Sequence, residues 1–337
     1  MTPFGAAIFG CAGPVLSKSE ISFFSEARPF GFILFNRNLQ TAEQIRALCA
    51  DLRAAAGHDA PIFIDQEGGR VQRLRPPLAR AWRPPLDDAA CADPRRAFYL
   101  RARLIAQDLR ALGIDGNCIP TLDIARPETH AVLRNRCYGT DRETVVAHGR
   151  AVVRGCLDGG VLPVMKHLPG HGFGTLDSHL DLPRVGAPRT VLEAEDFAVF
   201  RDFADLPLAM SAHLVFEAID PRPATISPVM IRLIREQIGF GGLLMTDDIS
   251  MQALSGTVAE RAEAARTAGC DLVLHCNGDL AEMRAVRDTV GPLDSWAQAR
   301  ADVALTLRGR PEEPAETAAL VAEAMHLGAM LPDTDPA

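Results

Sequence analysis

The chain has 337 residues, 47% of them apolar and 6% aromatic, with 35 Lys and Arg against 43 Asp and Glu for a net charge of −8. This length suits one large domain or two modest ones, with a core that needs no covalent staples. The acidic balance, the lack of a basic run and the few aromatics argue against nucleic acid as a partner and against an anionic membrane surface.

The first residues, Met1 to Cys11, are apolar but have no basic stretch before them. They read as a first strand rather than a signal peptide. No apolar run approaches the length of a membrane span. Eight short apolar runs follow one another along the chain: Ala6–Gly10, Gly31–Phe35, Pro61–Asp65, Gly116–Ile119, Val161–Lys166, Pro207–Ser211, Gly242–Thr246 and Asp271–His275. None alternates with polar residues, as expected of strands buried on both faces. Between them lie helical patterns with start signals. Ser17 to Glu20, Thr41 to Gln44 and Thr190 to Glu193 fit capping boxes. Asp93-Pro94 and Ser227-Pro228 place a capping side chain before a proline at the first helical position. Gly57, Gly113 and Gly239 stand where helices should stop.

Eight strand–helix alternations predict an α/β fold, a single (β/α)8 TIM barrel over residues 1–330, followed by a short disordered tail over 331–337. A doubly wound open sheet is the alternative, weakened because no Gly-x-Gly-x-x-Gly follows the first strand. The eight cysteines, at 11, 49, 91, 118, 137, 156, 270 and 276, include no Cys-x-x-Cys pair. They read as buried reduced thiols, which suits a cytoplasmic protein.

The unusual polar residues sort onto one side of this scheme. Asp65 ends strand three, Asp123 follows strand four, and Lys166 and His167 end strand five. His213 follows strand six, Asp247 and Asp248 follow strand seven, and Asn277 follows strand eight. All lie at carboxyl ends of strands, which form the catalytic face of a barrel. The densest segment is Lys166 to Gly172, with Asp177-Ser178-His179 close behind. It gathers three histidines, a lysine and an aspartate among glycines. His167, His171, Asp177 and His179 could ligate a metal. However, Pro169 prevents a helical i,i+4 pair, and Lys166 would repel a cation. Adjacent residues of a strand point oppositely, so one of Asp247 and Asp248 can aim into a site while the other braces the loop. Arg73, Arg134 and Arg136 offer fork-shaped donors on the same side.

These residues resemble the bacterial β-N-acetylhexosaminidases of glycoside hydrolase family 3, the cytoplasmic peptidoglycan-recycling type. The likeness runs through Gly31 to Asn38, Asp65 to Arg73, Arg134 to Gly139, Lys166 to Gly172 with Asp177 to His179, and Thr246-Asp247-Asp248. Leu168 stands where phenylalanine is usual, and Phe173 to Leu176 is a variable stretch. The resemblance implies a monomeric, cofactor-free glycosidase without a metal that acts on a small carbohydrate, a muropeptide or amino-sugar disaccharide. It implies Asp247 as nucleophile and His179 as acid/base, paired with Asp177. It also implies a sugar pocket of Asp65, Arg73, Asp123, Arg136, Lys166, His167 and His213, with Met251 as an apolar wall. Phosphorolysis of the same sugar, or a metal-dependent hydrolase on the same barrel, stays open. His171 has no assigned role.

Overall fold

The computed structural model describes residues 2–176, 182–309 and 314–330. The apolar runs form strands, and the strands are buried along their length. Nine form one parallel sheet: β1 (Gly5–Gly10), β2 (Pro29–Leu34), β3 (Ile62–Ile64), β6 (Gly116–Asn117), β7 (Leu162–Pro163), β8 (Met165–Leu168), β10 (Leu208–Ser211), β12 (Leu243–Asp248) and β13 (Leu272–His275). A hairpin, β4 (Gln66–Gly68) with β5 (Val71–Gln72), and a parallel pair, β9 (Arg184–Val185) with β11 (Val215–Phe216), lie outside it.

The sheet runs in the order β7-β6-β3-β2-β1-β13-β12-β10-β8. Its two end strands are halves of one sequence run, the predicted fifth strand, which changes partner near Val164. β7 pairs with β6, whereas β8 pairs with β10. The ring closes where the Lys166 amide donates to the Pro120 carbonyl at 3.0 Å and Leu122 donates to the Lys166 carbonyl at 2.8 Å. Nine strands are therefore eight barrel positions, as expected of a (β/α)8 barrel.

Several helix signals act as read. Ser17 and Glu20 form a reciprocal capping box, and Asp93 and Ser227 cap helices whose first residue is proline. Gly57 and Gly239 take up left-handed conformations, with φ +69° and +83°, where helices end. Two signals differ. Thr41 caps its helix, but the Gln44 side chain accepts from Gln40 instead of returning to Thr41. The helix predicted to start at Thr190 is already under way there: it spans Arg189–Ala194 behind Pro188, which has no capping side chain.

The two ends of the barrel differ in chemistry. At the amino end, Asp115 receives Arg53 at 3.0 Å and Arg308 at 3.0 Å, and it also accepts from the Ile62 amide at 2.7 Å. Asp271 receives Arg235 at 2.6 Å and Arg300 at 2.8 Å, and accepts from the Leu244 amide at 2.8 Å. These pairs tie outer helices to strand starts. The carboxyl end holds a cavity instead.

Candidate active site

Asp65, Lys166, His167, Asp247 and Asp248 stand at the carboxyl ends of β3, β8 and β12. A cavity of about 320 Å³ opens at the carboxyl ends of the strands. It is lined by Asp65, Arg73, Arg136, Lys166, His167, His171, Asp247, Asp248 and Met251, with apolar contributions from Ile33, Phe35, Leu133 and Leu176.

Its floor is a connected set of charges. The Lys166 ammonium donates to Asp65 Oδ1 at 2.8 Å and lies 2.6 Å from Glu67 Oε1. Arg136 grips Glu67 with both arms of its fork, Nε and Nη2 each at 2.8 Å. Arg73 Nη2 donates to Asp65 Oδ2 at 3.1 Å. Two carboxylates thus face three cations. Burial alone would raise both carboxyls, but the cations outweigh it. Lys166 and Arg73 hold Asp65 well below the usual carboxylate range, and Arg136 and Lys166 bring Glu67 down to about 2. Burial opposes charge on Lys166 in turn, but Asp65 and Glu67 overcome this and raise its pKa. All these groups are therefore ionised at neutral pH. They are held as rigid donors and acceptors, which is what orienting a polyhydroxyl ligand requires.

A second layer positions the histidines. Asp123 is buried behind His167 and accepts from its Nδ1 at 2.7 Å. The other Asp123 oxygen accepts from the His171 amide at 2.7 Å. Burial would raise Asp123, but His167 and His171 lower it. The carboxylate holds Nδ1–H of His167 toward itself, which turns Nε2 away from Asp123.

β12 runs two residues beyond its predicted end, so Asp247 and Asp248 belong to the strand. Its register against β13 shifts between Met245 and Asp248. A bulge of this kind breaks the alternation of side chains, so both aspartates reach the cavity wall. Their surroundings differ. Asp248 Oδ1 accepts from Ser250 N at 3.0 Å and Cys276 N at 3.2 Å, and its Oδ2 accepts from Ser250 Oγ at 2.6 Å. That carboxylate braces the turn after β12. Asp247 Oδ1 accepts from the Asp248 amide at 2.8 Å.

Most of the expected sugar-binding residues therefore meet in one cavity, but two do not line it. Asp123 stands behind the two histidines. His213 is fully buried, touching the Thr225 hydroxyl at 2.9 Å and the Asp248 carbonyl at 3.0 Å through its two ring nitrogens. Burial lowers its pKa, and its place is under the Asp247–Asp248 turn. Arg134 is exposed and Asn277 pairs with Glu282, so neither faces the cavity. Asp177 and His179 lie outside the described residues. Sequence reading missed Glu67, which joins Lys166 to Arg136, and His130, which helps line the wall. Glu67 sits two residues after Asp65 in a hairpin strand, and only its partners from far along the chain mark it out. Among the described residues, no group of three or more His, Cys, Asp or Glu could hold a metal ion.

A barrel whose carboxyl face holds such a charged cavity is an enzyme architecture, and its relatives specify which. The family described as the glycosyl hydrolase family 3 N terminal domain matches residues 22–306, so the chain belongs to that family and is a glycosidase. It is similar to the beta-hexosaminidases of Alkalilimnicola ehrlichii, with 39% identity over 91% of this chain and 89% of the relative, and of Thiobacillus denitrificans, with 35% identity over 96% and 92%. Among solved structures it resembles native NagZ from Neisseria gonorrhoeae, with TM-score 0.85 and 30% identity over 98% of this chain and 99% of that one. The NagZ complex with N-trifluoroacetyl-D-glucosamine matches at TM-score 0.84 and 30% identity, covering 96% and 97%.

Proposed function

We propose that the chain is a retaining exo-β-N-acetylglucosaminidase, removing terminal N-acetylglucosamine from peptidoglycan-derived muropeptides in the cytoplasm. The observation that supports this reading best is the Asp247 carboxylate at the end of β12, in the same cavity as the Asp65–Lys166–Arg136–Arg73 floor. Similarity to a NagZ crystallised with a glucosamine derivative supports the same class of sugar.

In this reading the floor holds the sugar. Lys166, Arg136 and Arg73 donate to its oxygens, Asp65 accepts from hydroxyls, and Met251 packs against the acetamido methyl. Asp247 attacks the anomeric carbon as the bond to the leaving oxygen breaks, giving a covalent glycosyl-enzyme. His179 donates a proton to that oxygen. It then takes one from the incoming water, which displaces Asp247 with a second inversion, so configuration is retained. An imidazole titrates near neutrality and suits both halves of the cycle, and Asp177 would favour its protonated form.

The test is turnover of an aryl N-acetyl-β-D-glucosaminide by the purified chain, with and without phosphate and after exhaustive chelation. The account expects hydrolysis that survives chelation and releases the β-anomer first. A requirement for phosphate would replace hydrolysis by phosphorolysis, and loss on chelation would indicate a metal-dependent mechanism. No turnover at all would remove the proposal.

A further inference from the structure

His171 is the one histidine of the strand-five segment without a task in this chemistry. It is 6% exposed, yet it lines the cavity. Its main chain is fixed: the amide donates to Asp123 Oδ1 at 2.7 Å, and the carbonyl accepts from Gly174 N at 2.8 Å. Its ring meets that of His167 edge to face, with centroids 5.6 Å apart. Burial, then the neighbouring His167, lowers its pKa to about 4, so the ring is neutral at pH 7.

A neutral imidazole has one N–H and one lone pair, and the surroundings decide which nitrogen has which. Nδ1 is buried and has no hydrogen-bond partner among the described residues. It faces Gly174, where an added Cβ would lie 2.6 Å from Nδ1 and 2.7 Å from Cε1. A proton on Nδ1 would point at carbon with no acceptor. An unshared lone pair beside a Cα–H is the cheaper arrangement. The proton therefore belongs on Nε2.

We infer that His171 is a further substrate-contacting residue, which donates a hydrogen bond from Nε2–H to an oxygen of the bound sugar. It works beside His167, which lines the same cavity. A donor fixed at this place in the wall selects for an acceptor oxygen, a hydroxyl or an acetamido carbonyl, at one position of the sugar. This rests on the reading that the cavity binds N-acetylglucosamine.

The experiment compares wild type, His171→Phe and His171→Gln. Affinity for N-acetylglucosamine is measured by calorimetry, and kcat and KM are measured on an aryl N-acetyl-β-D-glucosaminide and on the matching β-glucoside. Phenylalanine keeps the ring and deletes the donor. Loss of one hydrogen bond to a neutral acceptor corresponds to about tenfold in affinity. The Phe variant should show that loss, mainly in KM, and Gln should stay within about threefold of wild type, because its amide can donate. A penalty confined to the acetamido substrate assigns the carbonyl as acceptor. A penalty on both assigns a hydroxyl. No penalty on either, in a folded Phe variant, overturns the inference. Long-range 15N–1H correlation spectra of the wild type give an independent reading should the Phe variant not fold: a proton on Nδ1 of His171 would equally overturn it. If wild type itself fails to bind N-acetylglucosamine, the proposed function fails rather than the role of His171.

Discussion

Glu67 is a buried carboxylate shared by two cations, Lys166 and Arg136, that are themselves buried. Removing one partner of a buried ion network costs about 3–5 kcal/mol, because the remaining charges lose their compensation. Glu67→Ala should therefore lower stability to urea by about 3 kcal/mol and raise KM as the two donors lose their alignment. A loss below about 1 kcal/mol would mean that Lys166 and Arg136 do not depend on it. His171 gives a pH prediction. Its folded-state pKa of about 4 lies below the ordinary 6.5, so the fold favours the neutral ring. That contribution is fully present above pH 6.5 and is lost as pH falls through about 4. A shift of that size corresponds to about 3 kcal/mol. His171→Gln should flatten this part of the stability–pH curve, and unchanged acid sensitivity would contradict it. Lys166 and Asp65 were legible in the sequence because they stand at strand ends, and Arg73 and Arg136 because their loops lie on the same side. Glu67 was not, because its environment is made by partners far along the chain, and His130 sits in a stretch with no periodic pattern to place it.

At the scale of elements, strand identity was legible because the runs are apolar throughout, and that is what burial on both faces demands. The change of partner near Val164 was not, since it depends on which neighbours each half meets. Nor was the bulge that carries both Asp247 and Asp248 to the wall: sequence shows the period but not the register. Helix starts were legible where a capping side chain stood at the boundary. The signal at Thr190 misled because Pro188 already begins the turn before it. The segment after β8 is held by close packing. Gly170 has φ +134°, and an added Cβ would lie 2.7 Å from Cβ of the buried Asp196. Asp196 in turn pairs with Arg126 at 2.6 Å. Gly170→Ala should cost about 2 kcal/mol or more and disturb the wall formed by His171, lowering activity with the unfolding midpoint. A variant as stable and active as wild type would show that the segment is not tightly packed.

Over the whole molecule, the two ends of the barrel divide the work. The arginine-bound Asp115 and Asp271 tie the amino end together, while the carboxyl end holds the sugar-sized cavity. A barrel with this division predicts separable losses. Asp271→Ala should cost about 2 kcal/mol in urea unfolding while leaving KM within about twofold. A raised KM at unchanged stability would contradict that separation. No described helix is long and apolar enough to cross a membrane. The central claim is that Asp247 forms the covalent intermediate. The most direct measurement is peptide mapping by mass spectrometry after reaction with a 5-fluoro N-acetylglucosaminyl donor, which slows release of the sugar. The account predicts one added glycosyl group on the peptide containing Asp247, and none in Asp247→Ala. A label on another residue, or turnover with inverted configuration and no label, would contradict it.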